Sequence, residues 1–180
     1  HKNKPDVIIE CGLAHGGSIL FYESVLNSYK KKFKIFGIDI KVSPWTKSNI
    51  RKNKISNNIE IIQKDSSDLS LIKYIKSKAK KNSKYLIILD SNHSYKHVKE
   101  ELKNFSTLLK KNDYIIVLDT AIEFINQKFI KSGRDFGKGN SPHTAVMEFI
   151  KNNNSFKIDK DCHLKSFITS GADGFLKKIK

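Results

Sequence analysis

The stretch DVIIECGLAHGGS, residues 6–18, decides the fold of this 180-residue chain. It begins with a short continuous apolar run, residues 7–9, which is typical of a parallel strand that is covered on both faces. Gly12, Gly16 and Gly17 follow, and after them the apolar residues recur at helical spacing. The change of period across the glycines predicts a strand, a tight turn and a helix.

This glycine turn also indicates a ligand site. Glycine lets the backbone approach a ligand closely, and the free amides at a helix start favour the electron-rich side of a bound group. Residues 33–39 form a second predicted strand that ends in Asp39, where a nucleotide-type ligand has its ribose hydroxyls bound. The spacing of Gly12, Gly16 and Gly17 does not match the GxGxxG dinucleotide fingerprint. An ordinary tight turn without a ligand is the alternative.

The rest of the chain alternates between strand and helix patterns. We predict strands at 59–63, 85–89 and 114–118, and helices at about 46–53, 69–75 and 95–109, with Ser67 or Asp68 capping the second. Ser141-Pro142 opens another helix, and residues 156–159 and 174–179 close the sheet as an antiparallel edge pair, with 164–169 considered as part of the former. The alternation predicts a single α/β domain over residues 1–180, built on a doubly wound, mostly parallel sheet.

Acidic side chains follow the predicted strands. Four of the first five strands end in or just before an acid, at Glu10, Asp39, Asp90 and Asp119, and Asp65 comes two residues after the third strand. Ligands of such sheets bind beyond the carboxyl ends of the strands. These acids therefore predict a site at that edge, although helix caps or loop acids are the alternative for Asp90 and Asp119.

Residues 120–141 interrupt the alternation. Gly133, Gly137 and Gly139 are interleaved there with charged residues. A long irregular segment after a central strand is usually a lid or a binding loop. We predict a lid, with a disordered insertion as the alternative.

Composition limits the partners. The net charge of +16 comes almost entirely from lysine, since Arg51 and Arg134 are the only arginines, so it indicates a lysine-biased composition rather than a nucleic-acid surface. The two cysteines form neither a disulfide framework nor a zinc motif. No run is long enough for a membrane span and no signal peptide is evident, so we expect a cytoplasmic protein. The chain does not begin with Met, and a segment could precede it.

Several motifs together carry a family resemblance. In order they are ECGLAHGGS (10–18), GIDI (37–40), QKDSSD (63–68), ILDSNHSYKHVKEEL (88–102), YIIVLDT (114–120) and FITSGADGFLKK (167–178). From Pro5 to its end the chain resembles the cephalosporin hydroxylase and rhamnosyl O-methyltransferase family of class I methyltransferases. The resemblance implies S-adenosylmethionine as methyl donor, a seven-stranded sheet whose last strand is antiparallel, and a hydroxyl acceptor of the sugar, glycan or glycolipid type.

The resemblance also implies roles for site residues. Glu10, Gly12 and Gly16 would line the methionine end of the cofactor, and Asp90 would lie beside it. Asp39, with Ile40 of the same GIDI motif, would hold the ribose. Asp65 and Ser66 would flank the adenine.

Asp90 and Asp119 match acids that hold Mg²⁺ in similar sugar O-methyltransferases, and His93 matches their catalytic base, with Asp90 beside it in the catalytic site. Ends of neighbouring strands lie about 5 Å apart, so both acids could share one cation. Relatives commonly carry Glu where this chain has Leu118, which would weaken the site. Mg²⁺ needs only one or two protein carboxylates, and Glu123 or Asp135 of the lid could compensate.

His93 could remove a proton from the acceptor hydroxyl while the methyl group transfers. A polar helix cap is the alternative for this residue, and His97, one helical turn later, could share its face. The chain lacks the two-histidine-one-carboxylate motif of non-haem iron oxygenases. A nucleic-acid methyltransferase and a nicotinamide dehydrogenase are also disfavoured, because their base-methylation motif and glycine spacing are missing.

The main rival is a catalytically weakened cofactor-binding protein or interaction module of the same fold, marked by Leu118. The lid and the Pro5 end would be plausible contact surfaces of a homo-oligomer. Neither the lid nor any upstream segment names the acceptor.

Overall fold

The computed structural model describes residues 4–29, 32–52, 57–130, 132–166 and 168–180. The strands within them are β1 (Val7–Cys11), β2 (Lys34–Asp39), β3 (Ile59–Gln63), β4 (Tyr85–Leu89), β5 (Tyr114–Val117), β6 (Phe156–Ile158) and β7 (Phe175–Lys178). The α-helices are α1 (Gly17–Tyr29), α2 (Pro44–Lys52), α3 (Ser70–Lys78), α4 (Tyr95–Phe105), α5 (Pro142–Asn152) and α6 (Lys160–Lys165). Short 3₁₀ helices cover Ser106–Leu108, Thr120–Phe124 and Gln127–Phe129.

The described strands form one seven-stranded sheet in the order β3-β2-β1-β4-β5-β7-β6. β1 to β5 pair in parallel, whereas β7 is antiparallel to both β5 and β6. The predicted sheet, including its antiparallel last strand, is confirmed. Backbone bonds continue the register past the strand ends, from Asp90 N to Cys11 O at 2.8 Å and from Leu118 N to Leu89 O at 3.0 Å. The loops that follow β1, β4 and β5 therefore meet at one edge.

Alternate residues of the strands enter two apolar clusters. Val7, Ile9 and Cys11 of β1 are buried in one cluster with residues of α3, α4 and α5. Ile8 enters the other cluster, with Ile19 and Leu26 of α1. Each such buried side chain stabilises the fold by roughly 1.5–3 kcal/mol. Since side chains alternate along a strand, Glu10 faces the α1 side.

Two details differ from the sequence predictions. α3 begins at Ser70 with Leu69, 61% exposed, at its N-cap position and without a side-chain cap, so the predicted cap by Ser67 or Asp68 is wrong. Asp68 Oδ1 instead accepts a bond from Ser70 N, two residues on, at 2.7 Å. After β6, Asp159 Oδ1 accepts a bond from Cys162 N at 3.4 Å and caps α6. The suggested strand across 164–169 is therefore wrong for Leu164, which is helical; Phe167 lies outside the described residues, as does Asn53 of the predicted second helix.

The predicted lid starts with two 3₁₀ helices and ends at α5. Ser141 Oγ accepts a bond from Thr144 N at 3.2 Å and Pro142 occupies the first turn, as the sequence predicts for this helix start. Gly137 and Asn140 form an isolated antiparallel bridge. Among the described helices, none is long and apolar enough to cross a membrane.

Candidate functional site

A cavity of about 540 Å³ opens beyond the carboxyl ends of β1 to β4 and under the lid. This volume lies within the usual range for small-molecule sites. Its walls include six of the predicted cofactor residues and the predicted base: Gly12, Asp39, Ile40, Asp65, Ser66, Asp90 and His93. Glu10 and Gly16 lie outside the cavity wall.

The glycine turn is packed directly against the end of β4. Gly12 has a φ of +90°, and a Cβ placed there would lie 2.0 Å from the backbone oxygen of Asp90. A side chain at this position would thus collide with the protein itself as well as strain the backbone. Gly12 is required for the close approach of β1 and β4, before any ligand is considered.

Asp39 binds two backbone amides. Its Oδ2 accepts a bond from Leu13 N at 2.8 Å, and its Oδ1 accepts one from Lys41 N at 2.9 Å. The carboxylate therefore ties the glycine turn to the end of β2. Each oxygen can accept a further hydrogen bond, so a diol can still donate to it.

Glu10 is a buried carboxyl group behind the turn, only 4% exposed. Ser18 Oγ donates to its Oε2 at 2.8 Å, and Tyr22 donates to its Oε1 at 3.4 Å. Burial raises the pKa of Glu10 to about 7, assisted by the nearby Asp90, while the bond from Ser18 opposes the shift. Its charge can therefore change near neutral pH.

Three candidate metal ligands meet where β4 and β5 end. One ligand atom from each of Asp90, His93 and Asp119 lies within 4.8 Å of the others, and His93 Nε2 is 3.4 Å from Asp119 Oδ2. Asp119 adopts the left-handed conformation at φ 54°, which Asp tolerates better than most residues. Burial raises the pKa of Asp90, and the charge of Asp119 raises it further. The pair of acids is therefore a place where a cation would relieve repulsion.

Neighbouring residues do not supply a third carboxylate. Leu118 packs against the apolar cluster on the α1 side. Glu123 instead accepts bonds from Gly139 N at 3.1 Å, Ser141 Oγ at 2.5 Å and Thr144 Oγ1 at 2.9 Å. Burial works against its ionisation, but these bonds lower the pKa of Glu123 overall. The suggestion that Glu123 compensates for Leu118 is therefore wrong, because this carboxylate anchors the lid.

The lid contributes an aromatic contact to the predicted base. The rings of Phe136 and His93 meet edge to face, with centroids 5.3 Å apart. The Arg134 guanidinium lies 5.7 Å from the centre of the Phe136 ring. Asp135, Arg134 and Phe136 all line the cavity, although Asp135 is not among the three candidate ligands.

Sequence reasoning missed a polar cluster around Ser66 and His97. Ser66 Oγ is 3.0 Å from His97 Nε2 and 3.2 Å from Ser91 Oγ, and Ser91 Oγ donates to Glu101 Oε1 at 2.7 Å. The spacing of His97 and Glu101, one helical turn apart, was the available signal. No short sequence motif connects these two residues with Ser66 or Ser91.

Comparison with known proteins agrees with this arrangement. The profile of the family described as Rhamnosyl O-methyltransferase/CmcI matches residues 1–179. The chain belongs to this family. It is a family of S-adenosylmethionine-dependent O-methyltransferases, as the resemblance implies.

Individual relatives are more distant. The chain is 28% identical over 175 residues to the rhamnosyl O-methyltransferase of Mycobacterium tuberculosis (strain H37Rv), covering 96% of this chain and 67% of that protein. The apo structure of CmcI-N160 aligns with a TM-score of 0.65 and 19% identity, over 99% of this chain and 66% of the other. The cmcI-D160 Mg-SAM structure gives a TM-score of 0.60 and 17% identity, over 99% and 67%. The chain thus spans about two thirds of the length of these relatives, and the structural likeness shows a shared fold.

Proposed function

We propose that this chain transfers a methyl group from S-adenosylmethionine to a hydroxyl of a sugar, glycan or glycolipid-type acceptor. One observation carries the proposal: a single cavity joins Asp39, at the end of β2, to Asp90 and His93 after β4. The first lies where a nucleoside is bound in such sheets, and the others can act on a hydroxyl. The mycobacterial relative is a rhamnosyl O-methyltransferase, which supports a sugar acceptor.

The cofactor would occupy the β1 to β3 side of the cavity. Asp39 would accept bonds from the ribose hydroxyls, and Ile40, which is 70% exposed, offers an apolar surface beside them. Asp65 and Ser66 would flank the adenine. Gly12 and Asp90 would line the methionine end, with Glu10 and Gly16 acting from behind the turn rather than in the wall. The acidic walls suit a ligand that carries a sulfonium and an ammonium group.

The proposed reaction is an in-line displacement at carbon. The acceptor oxygen forms a bond to the methyl carbon as the carbon–sulfur bond breaks, and the electron pair of that bond stays on sulfur. His93 takes the hydroxyl proton, while Asp119, 3.4 Å from its Nε2, orients the imidazole. Alignment of oxygen, methyl group and sulfur is the main task of the site, and Asp90 limits where the acceptor can lie.

Asp90 and Asp119 would hold a divalent cation, with His93 beside them. The residues fit, because their donor atoms lie within 4.8 Å of one another and the pKa of Asp90 is raised by its burial and by Asp119. A bound cation supplies Lewis acidity, which lowers the pKa of a hydroxyl. With Leu118 packed into the apolar cluster, two carboxylates remain, and Mg²⁺ tolerates that number.

The acceptor would enter between the lid and His93. The Phe136 ring packs edge to face with the imidazole of the base, and the guanidinium of Arg134 lies over the same Phe136 ring. The role of residues 120–141 as a specificity lid is thus a proposal that rests on these contacts. Four expectations from the sequence stay predictions: a cytoplasmic location, a single domain, no nucleic-acid partner and a homo-oligomeric state.

A methyl-transfer assay tests the proposal. The purified protein is incubated with labelled S-adenosylmethionine and a panel of hydroxyl acceptors that starts with rhamnosyl glycosides, in Mg²⁺ and in EDTA. We expect labelled product from a sugar acceptor and greater turnover with Mg²⁺. A protein that binds the cofactor but methylates nothing on a broad panel would contradict the proposal.

That outcome would favour the second candidate, a catalytically weakened cofactor-binding protein of the same fold. The observation behind it is Leu118, which packs against the apolar cluster on the α1 side at the position where the family resemblance implies a Glu. The two candidates agree on cofactor binding and differ only in turnover.

A further inference from the structure

Glu101 is a fully buried carboxyl group that the methyl-transfer chemistry does not use. It lies on α4 with a relative exposure of 0%, and its Oε2 has no hydrogen-bond partner among the described residues. A buried carboxylate is costly unless an opposite charge and hydrogen bonds compensate. Its surroundings should therefore contain a specific compensating group.

A chain of hydrogen bonds joins Glu101 to the cavity. Ser91 Oγ donates to Glu101 Oε1 at 2.7 Å, and Ser66 Oγ donates to Ser91 Oγ at 3.2 Å. Each hydroxyl has one proton, and both protons are used in these bonds. His97 Nε2 lies 3.0 Å from Ser66 Oγ, 3.2 Å from Ser91 Oγ and 3.4 Å from Glu101 Oε1, so an N–H at this position can donate to the cluster.

The charges around the cluster identify His97 as the compensating cation. Glu101 of its own helix and Asp65 after β3 face His97, with Asp65 Oδ1 4.0 Å from Nδ1. Cys11 of β1 and Asp90 after β4 face Glu101, and neither can carry a positive charge. Burial alone would lower the pKa of His97, but the hydrogen bond and charge of Glu101, together with Asp65, raise it above its usual value.

We propose that His97 and Glu101 are positioning residues for the cofactor. Glu101 anchors the imidazolium of His97, which then fixes Ser66 and directs its Nδ1–H toward the proposed adenine end of the cavity. His97 itself lines that cavity, next to Asp65 and Ser66. At 4.0 Å, Asp65 is too far for a direct bond to Nδ1, which leaves this N–H for an acceptor atom of the ligand. The inference rests on the proposed cofactor site and adds to it a protonation state.

The pH dependence of S-adenosylhomocysteine binding tests the inference. We would titrate the protein calorimetrically between pH 5.5 and 8.0 as wild type and as His97→Gln. Loss of the His97 proton should weaken binding about three- to tenfold, the range of one hydrogen bond. Glu10, with a pKa of about 7, gains negative charge in the same window and acts in the opposite direction, toward the ligand ammonium.

Comparison of the two proteins separates these effects. His97→Gln should bind S-adenosylhomocysteine more weakly than the wild type at pH 6, and its affinity should show only the rise with pH that is due to Glu10. The difference between the two pH profiles then reports the titration of His97. His143→Gln is the matched control, because His143 pairs with Asp173 at 3.7 Å and contacts Phe124 instead of the cavity. An affinity and a pH profile of His97→Gln identical to those of the wild type would overturn the inference.

Histidine NMR gives a readout that a merely structural role would not move. In the wild type, the ring signal that is missing from His97→Gln should titrate above the usual histidine pKa and shift when S-adenosylhomocysteine binds. In Glu101→Gln this pKa should fall, and if that variant does not fold, the wild-type signal decides alone. A His97 signal that does not shift when S-adenosylhomocysteine binds would contradict this inference only. A wild-type protein that binds no S-adenosylhomocysteine would contradict the proposed function.

Discussion

The two halves of the cavity differ in how many hydrogen bonds the protein donates to their acidic side chains. On the side that we propose for the cofactor, both oxygens of Asp39 accept bonds from backbone amides. On the side that we propose for the acceptor, the Asp90 carboxylate has no hydrogen-bond donor among the described residues, and Asp119 has only His93, at 3.4 Å. The half that contains Asp39 is therefore preformed by the fold, whereas the other half keeps the Asp90 carboxylate, which is partly exposed and open to solvent or to a ligand.

The difference follows from the elements that build each half. β1, β2 and β4 pair along their whole length, so the turn after β1 and Asp39 are fixed by the backbone. The acceptor half depends on the lid, which contacts it through Phe136 and is anchored by Glu123. We expect substitutions in the first half to affect cofactor binding, and substitutions in the second half to affect turnover or cation binding.

The largest expected effect follows from Asp39→Ala. It removes the carboxylate proposed to bind the ribose, and with it the bond from Leu13 N that ties the glycine turn to β2 and the bond from Lys41 N. S-adenosylhomocysteine binding should therefore be lost, and the free energy of unfolding should fall by about 1–3 kcal/mol. Calorimetry and urea unfolding measure the two effects. Asp159→Ala is the control, because this strand-end acid caps α6 away from the cavity. Unchanged affinity in Asp39→Ala would refute the ribose assignment.

His93→Ala should separate the halves. Loss of a general base lowers kcat by about 10²- to 10⁴-fold, while S-adenosylhomocysteine affinity should stay within twofold of wild type. His143→Ala, at the far side of the lid, should leave both quantities unchanged. A fully active His93→Ala enzyme would remove His93 from the mechanism.

Leu118→Glu should strengthen the cation site. A third carboxylate beside Asp90 and Asp119 adds an oxygen ligand and should tighten Mn²⁺ binding about tenfold, as measured by the paramagnetic signal of the free ion. Leu118→Gln controls for the loss of apolar packing without adding charge. Equal Mn²⁺ affinity in the two variants would show that position 118 does not face the cation.

The smallest effect concerns Glu10 and pH. Because its pKa is raised from 4.5 to about 7 in the folded state, the native protein binds more protons than the unfolded chain between these values, and stability falls as pH rises through this window. Glu10→Gln should thus be more stable than wild type by about 1–3 kcal/mol at pH 8, and equal to it near pH 4.5. Urea unfolding at both pH values, with Glu100→Gln as control, measures this. A constant difference at both pH values would argue against the raised pKa.

The sequence predicted what depends on local pattern. Periodicity gives the strands and the glycine turn, and parallel pairing brings Asp39, Asp90 and His93 to one edge. Prediction from the sequence failed where contacts between distant parts of the chain determine the position of a side chain. Glu123 faces the start of α5 because Ser141 and Thr144 offer it hydrogen bonds, and Glu101 meets Ser91 only in the folded chain. Leu164 is helical because Asp159 caps α6, a choice that apolar spacing alone does not reveal.

The most direct test of the central claim is a calorimetric titration with S-adenosylhomocysteine, first in Mg²⁺ and then in EDTA. Because the cofactor half is preformed by backbone contacts to Asp39, we predict saturable one-to-one binding in both conditions. Absence of binding in both would mean that the glycine turn and Asp39 are structural only, and would contradict the assignment of this cavity to the cofactor.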